Sequence, residues 1–264
     1  MNIHFKEASL FSKLIKATIV QLEVGSPLYG LQDEYSDKDI LCIYYPFHNQ
    51  LYSFAQTHHQ LQYKAQKTDY LFVDVFTFIR NALSGDSTLN FEAIHIEDLP
   101  NTALGFLYTH RTYFYNYQII KAYLGFANRD LKQYWQQPSD REAVKKYIHA
   151  ERGLLFAKSI FQKNFTLKDA ILLEKRQKFV SFSLSTRKEA LKELQNAIDY
   201  FRKDVLTKAI ETEKLTRYML PSHQKEIDTY LQQLKSLPQY HYTQTEYFNL
   251  DLFYTVNENG LSYE

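Results

Sequence analysis

Apolar residues recur at helical spacing near the start of the chain, where Phe11, Leu14 and Ile15 mark one face of a helix over Phe5 to Lys16. The pattern then shifts toward alternation, and Thr18 to Val24 reads as a strand. The next stretch, GSPLYGLQDEYSDKD, is dense in turn formers and carboxylates and runs into an apolar strand, DILCIYY, that stops before Pro46. A further strand is expected over Asp69 to Val73. Asp74 is placed to N-cap a helix from Val75 to Leu83, and Gly85 suits its C-terminal end.

Beyond Leu107 the periods lengthen and breakers become rare. Helices are expected over Thr112 to Trp135, Asp140 to Gln162, Ser185 to Thr207 and Ser222 to Leu237, with Pro138 and Pro221 sitting where two of them should begin. The last stretch, from about residue 241, alternates weakly and reads as a strand or an irregular tail. The expected class is therefore α+β: a mixed sheet with helices over 1–106, a helical domain over 107–240 and a tail over 241–264. The chain contains no internal repeat and no low-complexity segment.

Composition narrows the setting more than the function. With 264 residues, 45% of them hydrophobic, the chain can bury a sizeable core. Its formal charge is only +1, so any contact with nucleic acid must be local. The single Cys42, in an apolar strand, excludes an intrachain disulfide framework and a cysteine-rich zinc site, and points to a buried thiol in the cytoplasm. No apolar run approaches the roughly 20 residues that span a bilayer, and MNIHFKEASL is too polar for a signal peptide, so neither insertion nor export is expected. The 22 Tyr and 19 Phe are read first as packing residues.

Asp37 and Asp39 stand two apart at the start of a strand, so their side chains leave the same face. Two such carboxylates repel each other unless a cation joins them. Magnesium answers that demand with hard oxygen ligation, and manganese is the alternative ion. Asp69 supplies a third carboxylate if its strand lies beside theirs, and such a set suits two metals acting on an attacking oxygen and a leaving pyrophosphate. Upstream, Gly25 lets backbone amides approach a phosphate and the Ser26 hydroxyl can donate to one. Each feature alone is an ordinary turn. Their order, strand, Gly-Ser, turn, D-x-D strand and a further D strand, is the informative part.

That order resembles a known one. GSPLYGLQDEYSDKDI is similar to the GSxxYG…SDxDI signature of the predicted nucleotidyltransferases of the polymerase β superfamily, a group that includes RNA-repair-associated members found beside RNA ligases. DYLFVDVFTFIRNALSGDSTLNFE resembles that family's third-carboxylate strand, following helix and GNP…E turn. YLGFANRDLKQ resembles its FxGYAxxQLK helix, and KKYIHAERGLLFAKSI its KKxxHxxRLL helix. The resemblance implies a catalytic domain over 1–106, with Gly25 and Ser26 binding nucleotide phosphate and Asp37, Asp39 and Asp69 holding metal. Asp74 is the rival third carboxylate; Asp69 is preferred because its distance to Phe78 matches the family and because capping already explains Asp74. The chain departs from the pattern at Pro27, Leu41 and Asp86-Ser87, and the Glu after the turn is displaced by one residue to Glu92.

Lys145, His149 and Arg152 fall at i, i+4 and i+7 with Lys146 beside them. Spacing alone makes this a solvated face with Glu142 and Glu151 as salt-bridge partners. The resemblance turns it toward a nucleotide, where Lys145, Lys146, His149 and Arg152 would meet the triphosphate. His58-His59 lacks a third ligand at useful spacing and gives no zinc site. The expected activity is transfer of a nucleoside monophosphate from a nucleoside triphosphate such as ATP to an acceptor hydroxyl, with an RNA end favoured by analogy. A protein acceptor, as in AMP-adding toxins and antitoxins, and a non-catalytic nucleotide-binding regulatory module are the alternatives. An RNA-binding structural protein is a third reading, supported only by scattered basic residues from Arg111 to Lys132.

Overall fold

The computed structural model describes residues 3–31, 37–48, 60–65, 67–168, 170–212 and 215–245. The His58-His59 pair, the turn residues 32–36 and the tail from residue 246 lie outside them. Helix α1 (Ile3–Ala17) leads directly into β1 (Thr18–Val24), followed by β2 (Lys38–Tyr44), β3 (Gln60–Ala65) and β4 (Thr68–Asp74). These form one mixed sheet in the order β1-β2-β4-β3, with β2 and β4 parallel and both outer pairs antiparallel. The protein is α+β.

Strand β3 was not expected, although QLQYKA does carry an alternation. It pairs with β4, setting Lys64 opposite Asp69. The other strands follow the pattern. In β2 the odd positions Leu41 and Ile43 join one core cluster and the even positions Cys42 and Tyr44 join another. Leu10, Leu14 and Ala17 of α1 close the second cluster on one face of the sheet. The opposite face meets the helices. Asp39 has the parity of Leu41 and Ile43, and Asp69 that of Leu71 and Val73, so their side chains leave on the helix-covered side.

Asp74 caps α2 (Val75–Ser84) as expected, its Oδ1 accepting from the amides of Phe76 at 3.1 Å and Thr77 at 3.0 Å; Gly85 ends the helix at φ 76°. Short helices α3 (Thr88–Ala93) and α4 (Gly105–Thr109) lead to the long pair α5 (Tyr117–Gln133) and α6 (Asp140–Phe161). Helix α5 starts five residues later than periodicity predicted. Asn116 intervenes as an N-cap, its Oδ1 accepting from Gln118 and Ile119, and a 3₁₀ turn over Arg111–Phe114 precedes it. Helix α7 (Ala170–Val180) was not anticipated. Helix α8 (Leu184–Tyr200) continues through a π-helical stretch, Phe201–Leu206, into α9 (Thr207–Glu211). Pro221 opens α10 (Pro221–Gln233), and α11 (Pro238–Thr245) carries helix into residues 241–245, where a strand or irregular tail was expected. Among the described residues no helix is long and apolar enough to cross a membrane. Cys42 is fully buried, and burial pushes its thiol up to about 12.

Inside the larger cluster, His95 donates from Nδ1 to the carbonyl of Phe91 at 2.9 Å, which leaves Nε2 to accept from the Tyr115 hydroxyl at 3.2 Å. That arrangement holds the neutral ring, and burial lowers its pKa from 6.5 to about 3. Below 6.5 the unfolded chain therefore binds a proton that the folded one refuses. Stability is complete above that value and falls as the pH drops, by about 3 kcal/mol at pH 4 from this group. Chemical denaturation of His95→Asn at pH 7 and pH 4 should show a shallower pH dependence than the parent; an identical slope would exclude His95 as the cause.

Candidate active site

The carboxylates gather at one end of the sheet because the register puts them there. Asp39 on β2 pairs with Asp69 on β4, and Val24 at the end of β1 pairs with Asp39 from the other side. Asp37, two residues earlier, leaves the same face. Asp74 pairs instead with Tyr44 at the opposite end of β4, five residues from Asp69 and about 16 Å away along the strand.

Gly25 makes this convergence sterically feasible. Its backbone sits at φ 81° and ψ −147°, a region open essentially to glycine, and a Cβ there would overlap Asp39 Oδ2. Ser26–Tyr29 then forms a 3₁₀ turn with Pro27 in its first turn, and Gly30 closes it at φ 68°. Pro27, a departure from the usual basic residue, thus stiffens the turn that presents Ser26. Gly25→Ala should cost about 1–3 kcal/mol through strain and force Asp39 aside. A thermal melt and a titration with a fluorescent nucleoside triphosphate would register both effects; unchanged affinity would remove Gly25 from the site.

The electrostatics of the acidic end are unfavourable as they stand. Burial, then Asp69, then Asp37 raise the Asp39 carboxyl above its ordinary range, against the opposing pull of Lys145 and Lys64. Asp69 Oδ1 is buried without a hydrogen-bond partner. Lys64 Nζ lies 3.5 Å from that oxygen and 3.5 Å from Asp37 Oδ2, an ion contact too long to count as a good hydrogen bond. Among the described residues no three ligand-type side chains already stand in the geometry of a bound ion. The donor set nevertheless fits a hard divalent cation: carboxylate oxygens only, one of them buried and unsatisfied, and a central carboxyl strained by its neighbours.

These groups form one wall of a cleft of about 550 Å³. The facing wall is α6, from which Lys145, His149 and Arg152 all point into it. Gly25, Ser26, Asp37, Asp39 and Asp69 complete the expected residues that line the cleft. Lys146 is turned away, its Nζ donating to Asp130 Oδ1 at 3.1 Å and Gln133 Oε1 at 2.8 Å. Helical geometry explains the split, since a residue one position from Lys145 is rotated by about 100°. Asp130, on α5, also faces His149 Nδ1 at 3.5 Å. Burial lowers the His149 pKa despite that carboxylate. Glu151, offered by spacing as a partner for the stripe, instead accepts from Tyr147 at 2.7 Å and pairs with Lys175.

Several residues that sequence reasoning did not assign complete the cleft. Tyr29 and Tyr123 both donate to the carboxylate of Glu92, which is only 1% exposed, and the guanidinium of Arg152 lies 3.9 Å over the Tyr29 ring. Burial, then Glu92, drives the Tyr29 hydroxyl well above its ordinary pKa, so it remains a donor. Burial opposes the charge on Arg152, but its neighbours, the Glu92 and Asp130 carboxylates among them, more than offset it and raise its pKa; its Nε has no hydrogen-bond partner. A charged guanidinium lining the cleft is suited to an anion. The YG of GSPLYG and the displaced Glu92 were the available signals for this network. Arg141 and Arg176 also line the cleft, and Arg176 donates to the Leu31 carbonyl at 3.3 Å.

No curated protein matches the chain. Among solved structures, a nucleotidyltransferase-like protein from Exiguobacterium sibiricum is similar at 13% identity, with 75% of each chain covered and a TM-score of 0.32. The model of the RNA repair pathway DNA polymerase beta family matches residues 11–233, most of the length, and the chain belongs to that family.

Proposed function

We propose that the protein is a divalent-metal-dependent enzyme that moves a nucleoside monophosphate from a nucleoside triphosphate to an acceptor hydroxyl, with an RNA end as the acceptor. Membership of a polymerase β family supports nucleotidyl transfer as the class. The observation that carries the finer reading is the pairing of the two walls: three carboxylates on one sheet face opposite Lys145, His149 and Arg152 on α6. A nucleoside triphosphate needs both, cations for its oxygens and a carboxylate-held metal at the reacting phosphorus. The cleft volume lies within the range of small-molecule sites.

Asp37, Asp39 and Asp69 would hold magnesium. Bound there, it would acidify the acceptor hydroxyl and neutralise charge on the leaving pyrophosphate. Arg152 offers its guanidinium, and Lys145 a point charge, to the phosphate oxygens. Gly25 and Ser26 bring a backbone turn and a hydroxyl to the same phosphates. As the acceptor oxygen bonds to the α-phosphorus, the bond to the β-phosphate oxygen breaks, and Asp69 takes the hydroxyl proton. Positioning and charge compensation account for the acceleration. The lone buried Cys42 supports a cytoplasmic setting.

Incubation with α-labelled nucleoside triphosphates, magnesium and total RNA should place label in RNA, and chelation should prevent it. Label in protein from a cell extract would move the acceptor to a side chain. Absence of label in every fraction would reject transfer.

A further inference from the structure

Away from the cleft, the end of α5 and the middle of α8 enclose an open groove of about 400 Å³. Its floor is Leu131 and Leu191, and its rim carries Lys132, Lys188 and Lys192, with no acidic side chain lining it. Trp135, the only tryptophan in the chain, borders it and is 56% exposed. Lys188 Nζ lies 6.0 Å from its ring centroid. Tyr134 meets the indole edge-on at 4.8 Å, which leaves it supported on one side while much of its surface stays open to solvent.

We propose that this groove binds a single strand of nucleic acid, with a base stacked on Trp135 and phosphates on Lys132, Lys188 and Lys192. An exposed indole offers a stacking surface to any base, and clustered lysines track a backbone. The chemistry disfavours a protein partner, because lysine is depleted from protein interfaces. It also disfavours a small ligand, because the groove is open along its length. Position adds to the case. Asp130, adjacent to Leu131, contacts His149 in the cleft wall, so a single turn of α5 lines the groove and touches the helix that walls the proposed reaction site. That the strand is the RNA acceptor rests on the proposed transfer reaction; the binding itself does not.

Because Trp135 is the sole tryptophan, its fluorescence reports this site alone. Titration with single-stranded oligouridylate and oligoadenylate should quench it, whereas polyglutamate, a polyanion without bases, should not. The logarithm of affinity should fall with the logarithm of salt concentration at a slope of about −2, as release of about three contacts from a single strand requires. The triple variant Lys132→Ala, Lys188→Ala, Lys192→Ala should lose the quenching and most of that slope. By anisotropy of a labelled oligonucleotide, Trp135→Ala should bind about tenfold more weakly while Trp135→Phe retains affinity. Equal quenching by polyglutamate, or full affinity in Trp135→Ala with an unchanged melting temperature, would overturn the assignment. Asp39→Asn protein should still be quenched. Quenching without transfer would leave the groove standing and defeat the reaction, and transfer without quenching would do the reverse.

Discussion

Asp39→Asn should lower nucleotide transfer by about a thousandfold or more while leaving the melting temperature equal or higher. The two effects share a cause. Asp39 is the carboxyl raised by burial and by Asp69 and Asp37, which means its ionised form costs the fold energy that an amide does not. The amide keeps the shape and removes the repulsion. It also removes the charge that would hold a cation between β2 and β4. Loss of activity accompanied by a fall in stability would point instead to a structural carboxylate, and transfer at the parent rate would sink the metal-site assignment. Asp37→Asn should behave alike in activity, with less effect on stability because Asp37 is exposed.

The second large effect is expected at Glu92. Glu92→Leu leaves the Tyr29 and Tyr123 hydroxyls without their acceptor and Arg152 without a compensating charge, all in a buried setting. Removing one partner of a buried charged network costs about 4 kcal/mol, or about 10 °C in melting temperature for a chain of this size. Adding Tyr29→Phe and Tyr123→Phe should recover part of the loss, since the unsatisfied donors then disappear. Failure of the triple variant to recover any stability would show that the hydroxyls are not what Glu92 satisfies. Activity should not return with stability, because Arg152 keeps the ring at position 29 but has lost the Glu92 charge that helps hold it.

Where local chemistry decides an element, the sequence was legible. Asp74 and Gly85 bounded α2, alternation marked β1, an apolar run marked β2, and the spacing of Lys145, His149 and Arg152 put them on one helix face that lines the cleft. Where a cap overrides periodicity, as Asn116 does for α5, the boundary was misplaced. Strand β3 was missed because its six residues, of which only Leu61 is buried, hide too little apolar surface to announce a strand. With it went Lys64, whose position opposite Asp69 exists only once β3 pairs with β4.

By itself the amino-acid order determined which chemistry was present: a Gly-Ser turn, a D-x-D strand, a further Asp strand and a basic helix stripe. It could not choose between Asp69 and Asp74 before the pairing of their strand was known, because the two lie on one strand, at opposite ends and on opposite faces of it. Parallel pairing of β2 with β4 settled their positions, setting Asp69 beside Asp39 and leaving Asp74 to cap a helix. The same packing turned Lys146 toward Asp130 and enclosed Glu92 between two tyrosines. Such contacts join residues 16 or more positions apart. They depend on strand register and helix rotation, which arise when separate elements bury their apolar faces against one another.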